Sequence, residues 1–206
     1  YNVADGEAGY EADSGETERR PFTAVLDVGL HRTTTGARLL ARAPAPLRTA
    51  AKRQVELAYW RLHIRRTGRL ANSHFAAAHT DPFGLTPGHY RGKRLLDIGC
   101  GPLGTLEWAT EAASRTGVDP LADAYRALNG GAHAMTYVAA PAERLPFPDA
   151  GFDVVSLFNA LDHVENPAAA AAEAARVLAP GGDLLLLCEI DHPPTLAEPH
   201  QLTEAI

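Results

Sequence analysis

From Arg94 onward, short aliphatic runs alternate with stretches of helical period, a pattern that predicts repeated βαβ units around a parallel sheet. The runs at 94–98, 115–118, 135–139, 153–158 and 183–190 predict five strands, and 104–113, 121–129 and 167–178 predict helices between them. The last helix opens on Pro167, continues through the alanine-rich stretch Ala168 to Ala175 and stops before Pro180-Gly181-Gly182. Upstream, Leu47, Ala51, Val55, Ala58 and Leu62 recur every three or four residues, with Tyr59 and Trp60 alongside, and predict an amphipathic helix within 47–70 that lies over the main domain. Residues 1–20 combine Gly, Ser and acidic residues with no apolar period, and read as a mobile arm. The expected division is an acidic arm and basic linker over 1–46, a helical lid over 47–92 and a doubly wound α/β domain with a mainly parallel sheet over 93–206.

A chain of 206 residues holds one α/β domain and a short appendage. It has no apolar run long enough to span a membrane as a helix and no signal-peptide pattern, so a cytoplasmic location is expected. The first residue is Tyr1 rather than Met, which reads as processing, trimming or an incomplete chain. Cys100 and Cys188 fall in separate strand-like segments and offer no disulfide framework. The net charge of −6 conceals an asymmetry: acids lead from Asp5 to Glu18, and ten Arg and Lys residues between Arg32 and Arg69 face only Glu56. That basic stretch reads as a solvated helix face, and contact with phosphates or an acidic substrate is the alternative.

Two segments carry chemistry in their spacing. In "RLLDIGCGPLG", an aliphatic run enters Asp97, and Gly99, Gly101 and Gly104 then form a tight turn at an expected helix start, where backbone amides can approach a polar ligand. As a bare pattern this suits NAD, FAD or S-adenosylmethionine. In "RTGVDP" the second strand ends on Asp119, about 20 residues after the first glycine, the spacing at which an acid receives ribose hydroxyls. Asp119 could equally cap the helix that starts near Pro120.

Further along, "AERLPFPDAGFDVVSLFNALDHV" (142–164) and "RVLAPGGDLLL" (176–186) follow in order, and the series resembles the class I, Rossmann-like S-adenosylmethionine-dependent methyltransferases, especially the small-molecule group related to quinone-biosynthesis C-methyltransferases. "HFAAAHTDPFGL" and "GPLGTLEWA" extend the resemblance over about 72–187. It implies S-adenosyl-L-methionine as cofactor, with Asp97, Gly99, Cys100 and Gly101 at the methionine portion and Asp97 favouring the ammonium. It further implies Asp119 on the ribose, Pro120 and Leu121 beside the adenine, Ala142 and Glu143 along its other edge, and Asn159 closing over the methionine or the reactive face. Pro141 departs from the family pattern, which often has an acidic or polar residue there, and so shifts adenine recognition to Glu143 or to backbone groups. The family sheet has seven strands where five are visible, so a truncated or incomplete C-terminal end is expected.

Methyl transfer from a sulfonium is an in-line displacement that mainly requires placement of the acceptor and exclusion of water, and no metal. If the acceptor is a hydroxyl or an acidic carbon, His163 is the expected general base, with Asp162 to orient it; His163 as a helix cap is the bland alternative. The loop after the fifth strand supplies His192 and His200, and Tyr59, His74 and Phe75 come from the helical lid; these are read as substrate contacts, although the aromatics could simply pack the lid. The expected reaction is methyl transfer to O, N or C of a small-molecule acceptor, in specialised metabolism. No membrane or nucleic-acid partner is expected, and a homodimer is compatible with the chain. Methylation of RNA or protein, or a non-catalytic partner subunit of the same fold, are the competing readings.

Overall fold

The computed structural model describes residues 45–67, 72, 74–128, 132–188, 190, 200 and 202. Apart from its last two residues, the arm and linker read at 1–46 lie outside the described residues, as does His192. The chain divides into two units between Leu70 and Ala71. In the first, helix α1 spans Ala45–Thr67, and its Tyr59, Trp60 and His63 rings pack on one another, with Tyr59 and Trp60 edge to face at 5.0 Å. Among the described residues, no helix is long and apolar enough to cross a membrane.

The second unit opens with α2 (Phe75–Thr80) and two single turns of 3-10 helix, Asp81–Phe83 and Pro87–Tyr90. The sheet then forms from β1 (Arg94–Ile98), β2 (Ser114–Val118), β3 (Thr136–Val138), β4 (Phe152–Phe158) and β5 (Leu178–Leu187). Every pairing is parallel and the order is β3-β2-β1-β4-β5, so the winding reverses between β1 and β4, the place where open α/β sheets bind ligands. Helix α3 (Ala122–Leu128) joins β2 to β3, and α4 (Pro167–Val177) joins β4 to β5. Asn166 caps α4 by accepting from the Ala169 amide at 3.1 Å, and Pro167 fills the first turn, where its missing N–H leaves no bond unmade.

Successive strand residues point to opposite faces, which splits the core in two. Leu96, Ile98, Val155 and Leu157 lie on one face under Ala170, Ala174 and Val177 of α4, whose small side chains allow close approach. Leu95 and Val154 lie on the other with Tyr90, Leu106 and Ala109, rimmed by Phe83, Trp108 and Phe158. Asp97 and Ser156, each two residues further along their strands, share this second, aromatic face.

The helix expected over 104–113 does not form. The segment is a chain of tight turns in which Glu107, Ala109 and Ala112 donate to carbonyls three residues back, and Arg115 Nη1 takes the Glu107 carbonyl at 2.9 Å. Thr105, Trp108 and Thr110 favour helix weakly, and the Thr105 hydroxyl and Glu107 carboxylate are each committed outside the segment, to Asp97 and to the Met135 amide.

Candidate active site at the ends of β1, β2 and β4

Asp97, next to last in β1, is 3% exposed. Both its oxygens are engaged: Ser156 Oγ donates to Oδ1 at 2.7 Å, across the register that pairs the two residues, and Thr105 Oγ1 donates to Oδ2 at 2.5 Å. Burial pushes the carboxyl pKa up, opposed by the nearby His79 ring and by the two hydroxyl donors.

The glycine turn follows. Gly99 has φ +78°, and a Cβ there would stand 2.6 Å from Ala160 Cβ, so the turn after β1 is pressed against the turn after β4. The Gly99 and Cys100 amides both donate to the Val118 carbonyl, at 2.8 and 3.3 Å, and the Gly101 amide donates to Asp119 Oδ2 at 3.3 Å. The expectation of free amides at a helix start is therefore corrected: the amides are tied to the end of β2, and turns follow instead of a helix. Gly101, with φ +56°, has nothing within 4 Å of where its Cβ would lie, and this is the open side of the turn. Cys100 brings only backbone. Its side chain is buried with Met135 and Tyr137, where desolvation first, and then the charges of Asp119 and Asp97, push the thiol pKa well up.

Asp119 closes β2 at 9% exposure and accepts the Leu121 amide on Oδ1 at 2.8 Å, while its carbonyl accepts the Ala122 amide. It thus caps the start of α3 and also brings a second carboxylate to the same sheet end as Asp97. Pro120 is exposed, Leu121 half-buried and Ala142 buried.

Glu143, read at the adenine edge, is engaged with backbone amides. Its Oε1 accepts the amides of Glu165 and Asn166 at 2.7 and 3.1 Å. His200 Nε2 lies 3.0 and 3.1 Å from the carbonyls of Val164 and Glu165 on the same turn. Since a carbonyl only accepts, His200 is the donor there. Glu143 and His200 together hold the turn that carries Asp162 and His163. His163 is half-buried, with its amide on the Ala160 carbonyl at 3.1 Å, and Asp162 is buried. Asn159 stands at the head of this turn with φ +50°, a left-handed conformation that Asn tolerates better than most residues, and its amide donates to the Leu187 carbonyl at 2.7 Å.

Of the expected lid contacts, Tyr59 belongs to the first unit. His74 and Phe75 open α2 in the second, their rings 4.2 Å apart. Sequence reasoning passed over His79, Thr105, Trp108 and Ser156. Ser156 was readable as the residue that strand alternation sets facing Asp97; nothing in the sequence pattern singles out the others. Among the described residues no group of three or more His, Cys, Asp and Glu side chains could hold a metal ion.

A switch-point acid, a glycine turn and a second acid at the neighbouring strand end form an arrangement that suits a nucleoside cofactor. Residues 96–186 match the family model described as a methyltransferase domain, and over this segment the chain is similar to class I S-adenosylmethionine-dependent methyltransferases, including quinone-biosynthesis enzymes. The ubiquinone/menaquinone biosynthesis C-methyltransferase UbiE of Stutzerimonas stutzeri is 38% identical over 115 residues, covering 48% of this chain and 43% of that protein. The O-methyltransferase rstn1 of Aspergillus nomiae is 34% identical over 128 residues, covering 54% and 56%. The crystal structure of the YcgJ protein of Bacillus subtilis is 27% identical, covering 57% of this chain and 51% of that one at a TM-score of 0.46. The chain spans 21% and 43% of the length of the first two curated relatives it matches. A second model, of ribosomal large subunit proteins 60S L5 and 50S L18, matches residues 2–57, upstream of the site residues of the second unit.

The family implies S-adenosylmethionine as cofactor. Its demands are an acid for the ribose hydroxyls, an acceptor for the ammonium and space beside the turn. Asp119, Asp97 and the open side of Gly101 fit them.

Proposed function

We propose that this chain transfers a methyl group from S-adenosylmethionine to a small-molecule acceptor. The observation that carries the reading is the pair of buried carboxylates, Asp97 and Asp119, at the ends of adjacent strands with the glycine turn between them. When bound, the sulfonium supplies an electrophilic methyl group. Asp119 receives the ribose hydroxyls through lone pairs left over from its two amide bonds, and Asp97 sets a negative charge against the ammonium. Leu121 and Ala142 lie beside the adenine. His163, on the turn after β4, takes the proton of a hydroxyl or carbon acid as the acceptor attacks, and Asp162, next to it in sequence, is the group to orient it. His74 and Phe75 are assigned to the acceptor side. The named relatives include a C-methyltransferase and an O-methyltransferase, and both chemistries require only that the acceptor atom be placed in line behind the methyl.

Calorimetric titration with S-adenosylmethionine and NAD in parallel tests the cofactor. Wild-type protein is expected to bind the first alone, and Asp119→Ala to weaken it by about tenfold or more, the worth of one charged hydrogen bond. Binding of NAD, or of neither, overturns the reading. An acceptor screen then follows, in which His163→Gln is expected to lower kcat with KM little changed.

A further inference from the structure

The aromatic face of the sheet holds two polar atoms that the site described above does not use. His79, on α2, is 0% exposed, and its Nδ1 lies 2.8 Å from the Phe75 carbonyl. A carbonyl only accepts, so Nδ1 carries the proton, and Nε2 of the neutral ring is a lone pair. Burial favours that neutral form. Nε2 is buried and has no hydrogen-bond partner among the described residues, and neither has the buried Nε1–H of Trp108. The two rings lie 5.5 Å apart, Phe158 stands 4.5 Å from His79, and Tyr90 meets Trp108 edge to face at 4.9 Å.

A buried acceptor left without a donor is costly, and so is a buried donor left without an acceptor. Here one of each sits on two rings whose centroids lie 5.5 Å apart, on the face to which β1 and β4 also direct Asp97 and Ser156. The Asp97 carboxylate is close enough for its charge to act on the imidazole. A lone pair beside a buried carboxylate calls for a cationic N–H donor; an indole N–H beside them calls for an anionic or carbonyl oxygen. An α-amino acid zwitterion carries both within one group. The amides of Gly99, Cys100 and Gly101, which could otherwise serve a carboxylate, are spent on Val118 and Asp119.

We infer that His79 and Trp108 form the receptor for the amino-acid end of S-adenosylmethionine, His79 Nε2 accepting from the ammonium beside Asp97 and Trp108 Nε1–H donating to the carboxylate. This rests on the cofactor reading above. The rings over His79 belong to Trp108 and Phe158, both half-buried, so seating the group requires rotation of a side chain rather than displacement of a strand.

The test compares S-adenosylhomocysteine, which carries the amino-acid end, with methylthioadenosine, which lacks it, by calorimetry on the full chain. His79→Asn can keep the bond to the Phe75 carbonyl while deleting the Nε2 acceptor; His79→Gln sets an amide oxygen near the Nε2 position; Trp108→Phe deletes the indole donor. His79→Asn and Trp108→Phe are each expected to weaken S-adenosylhomocysteine about tenfold while leaving methylthioadenosine within about twofold, and His79→Gln to recover most of the loss. Intact methylthioadenosine binding also shows that a variant is folded. Unchanged S-adenosylhomocysteine binding in both variants overturns the inference while the cofactor reading stands. Equal loss of both ligands overturns it by making the residues structural alone. Failure of the wild type to bind either nucleoside removes the cofactor reading, and the inference with it.

Discussion

Asp97 and Ser156 face each other across β1 and β4, paired in register and joined by a hydrogen bond of 2.7 Å from the hydroxyl to Oδ1. The bond lies at 3% and 2% exposure, where an unmet carboxylate lone pair has no water to turn to. Ser156→Ala is therefore expected to cost about 1–3 kcal/mol of stability, measured by urea unfolding. The Asp97→Asn, Ser156→Ala double variant should lose less than the sum of the two single changes, because the two side chains are in direct contact.

Gly99 permits the approach of the β1 and β4 turns. Gly99→Ala adds a Cβ 2.6 Å from Ala160 Cβ in a backbone conformation of φ +78°. The expected cost is about 1–3 kcal/mol. Ala160→Gly in the same background should return only part of it, since the contact is relieved and the strained φ is not. Full recovery by Ala160→Gly would show that the backbone conformation is harmless there.

Glu143 and His200 hold the turn bearing His163 from its amide side and its carbonyl side. Glu143→Ala frees the amides of Glu165 and Asn166, and their hydrogen exchange is expected to quicken by about tenfold or more. Glu143→Gln retains an acceptor oxygen and should keep most of the protection. A drop in nucleoside affinity with unchanged exchange would instead return Glu143 to the adenine edge.

Two ion pairs should make the fold lose stability in acid. Hydrogen bonds from Arg94 hold the Asp153 carboxyl at about 2, below its ordinary 3.8, and hydrogen bonds from Arg176 hold Glu173 at about 2, below its ordinary 4.5. A carboxyl whose folded pKa lies below its unfolded one contributes stability above the unfolded value and loses it as the pH falls through the folded one. The urea midpoint should therefore fall as the pH drops from about 4.5 to about 2, and Asp153→Asn should flatten that limb. The partial exposure of both carboxylates limits each effect to about 0.2–1 kcal/mol.

The strands and the two acids were legible because parallel strands buried on both faces read as near-continuous apolar runs, and because an acid ending such a run is conspicuous. β4 matched its apolar run closely and α4 opened at Pro167 as expected, whereas β5 begins at Leu178, five residues before the run at 183–190, and takes in the Pro180-Gly181-Gly182 segment read as a stop. The segment 104–113 misled because Leu106, Ala109 and Ala113 keep a helical spacing while the turns are decided by bonds to Asp97, Met135 and Arg115, all distant in sequence or outside the segment's own period. The turn-holding bonds of Glu143 were not legible for a related reason: its partners are backbone amides 22 and 23 residues away, which leave no mark in side-chain identity. Cys100 sits at a motif position, yet its side chain turns into the core beneath Gly117, whose absent Cβ would otherwise stand 2.6 Å from the sulfur.

β5 pairs with β4 on one side, and among the described residues nothing pairs with its other side. Leu184 and Leu186 stand 46% and 40% exposed along it. Among the described residues, this unpaired edge beside exposed leucines is a template for another extended segment. The handling of the protein in solution therefore turns on this margin: a lysine in place of Leu184 or Leu186 should raise the concentration at which the chain stays monodisperse, at little cost to the β1–β4 junction where the cofactor chemistry is placed.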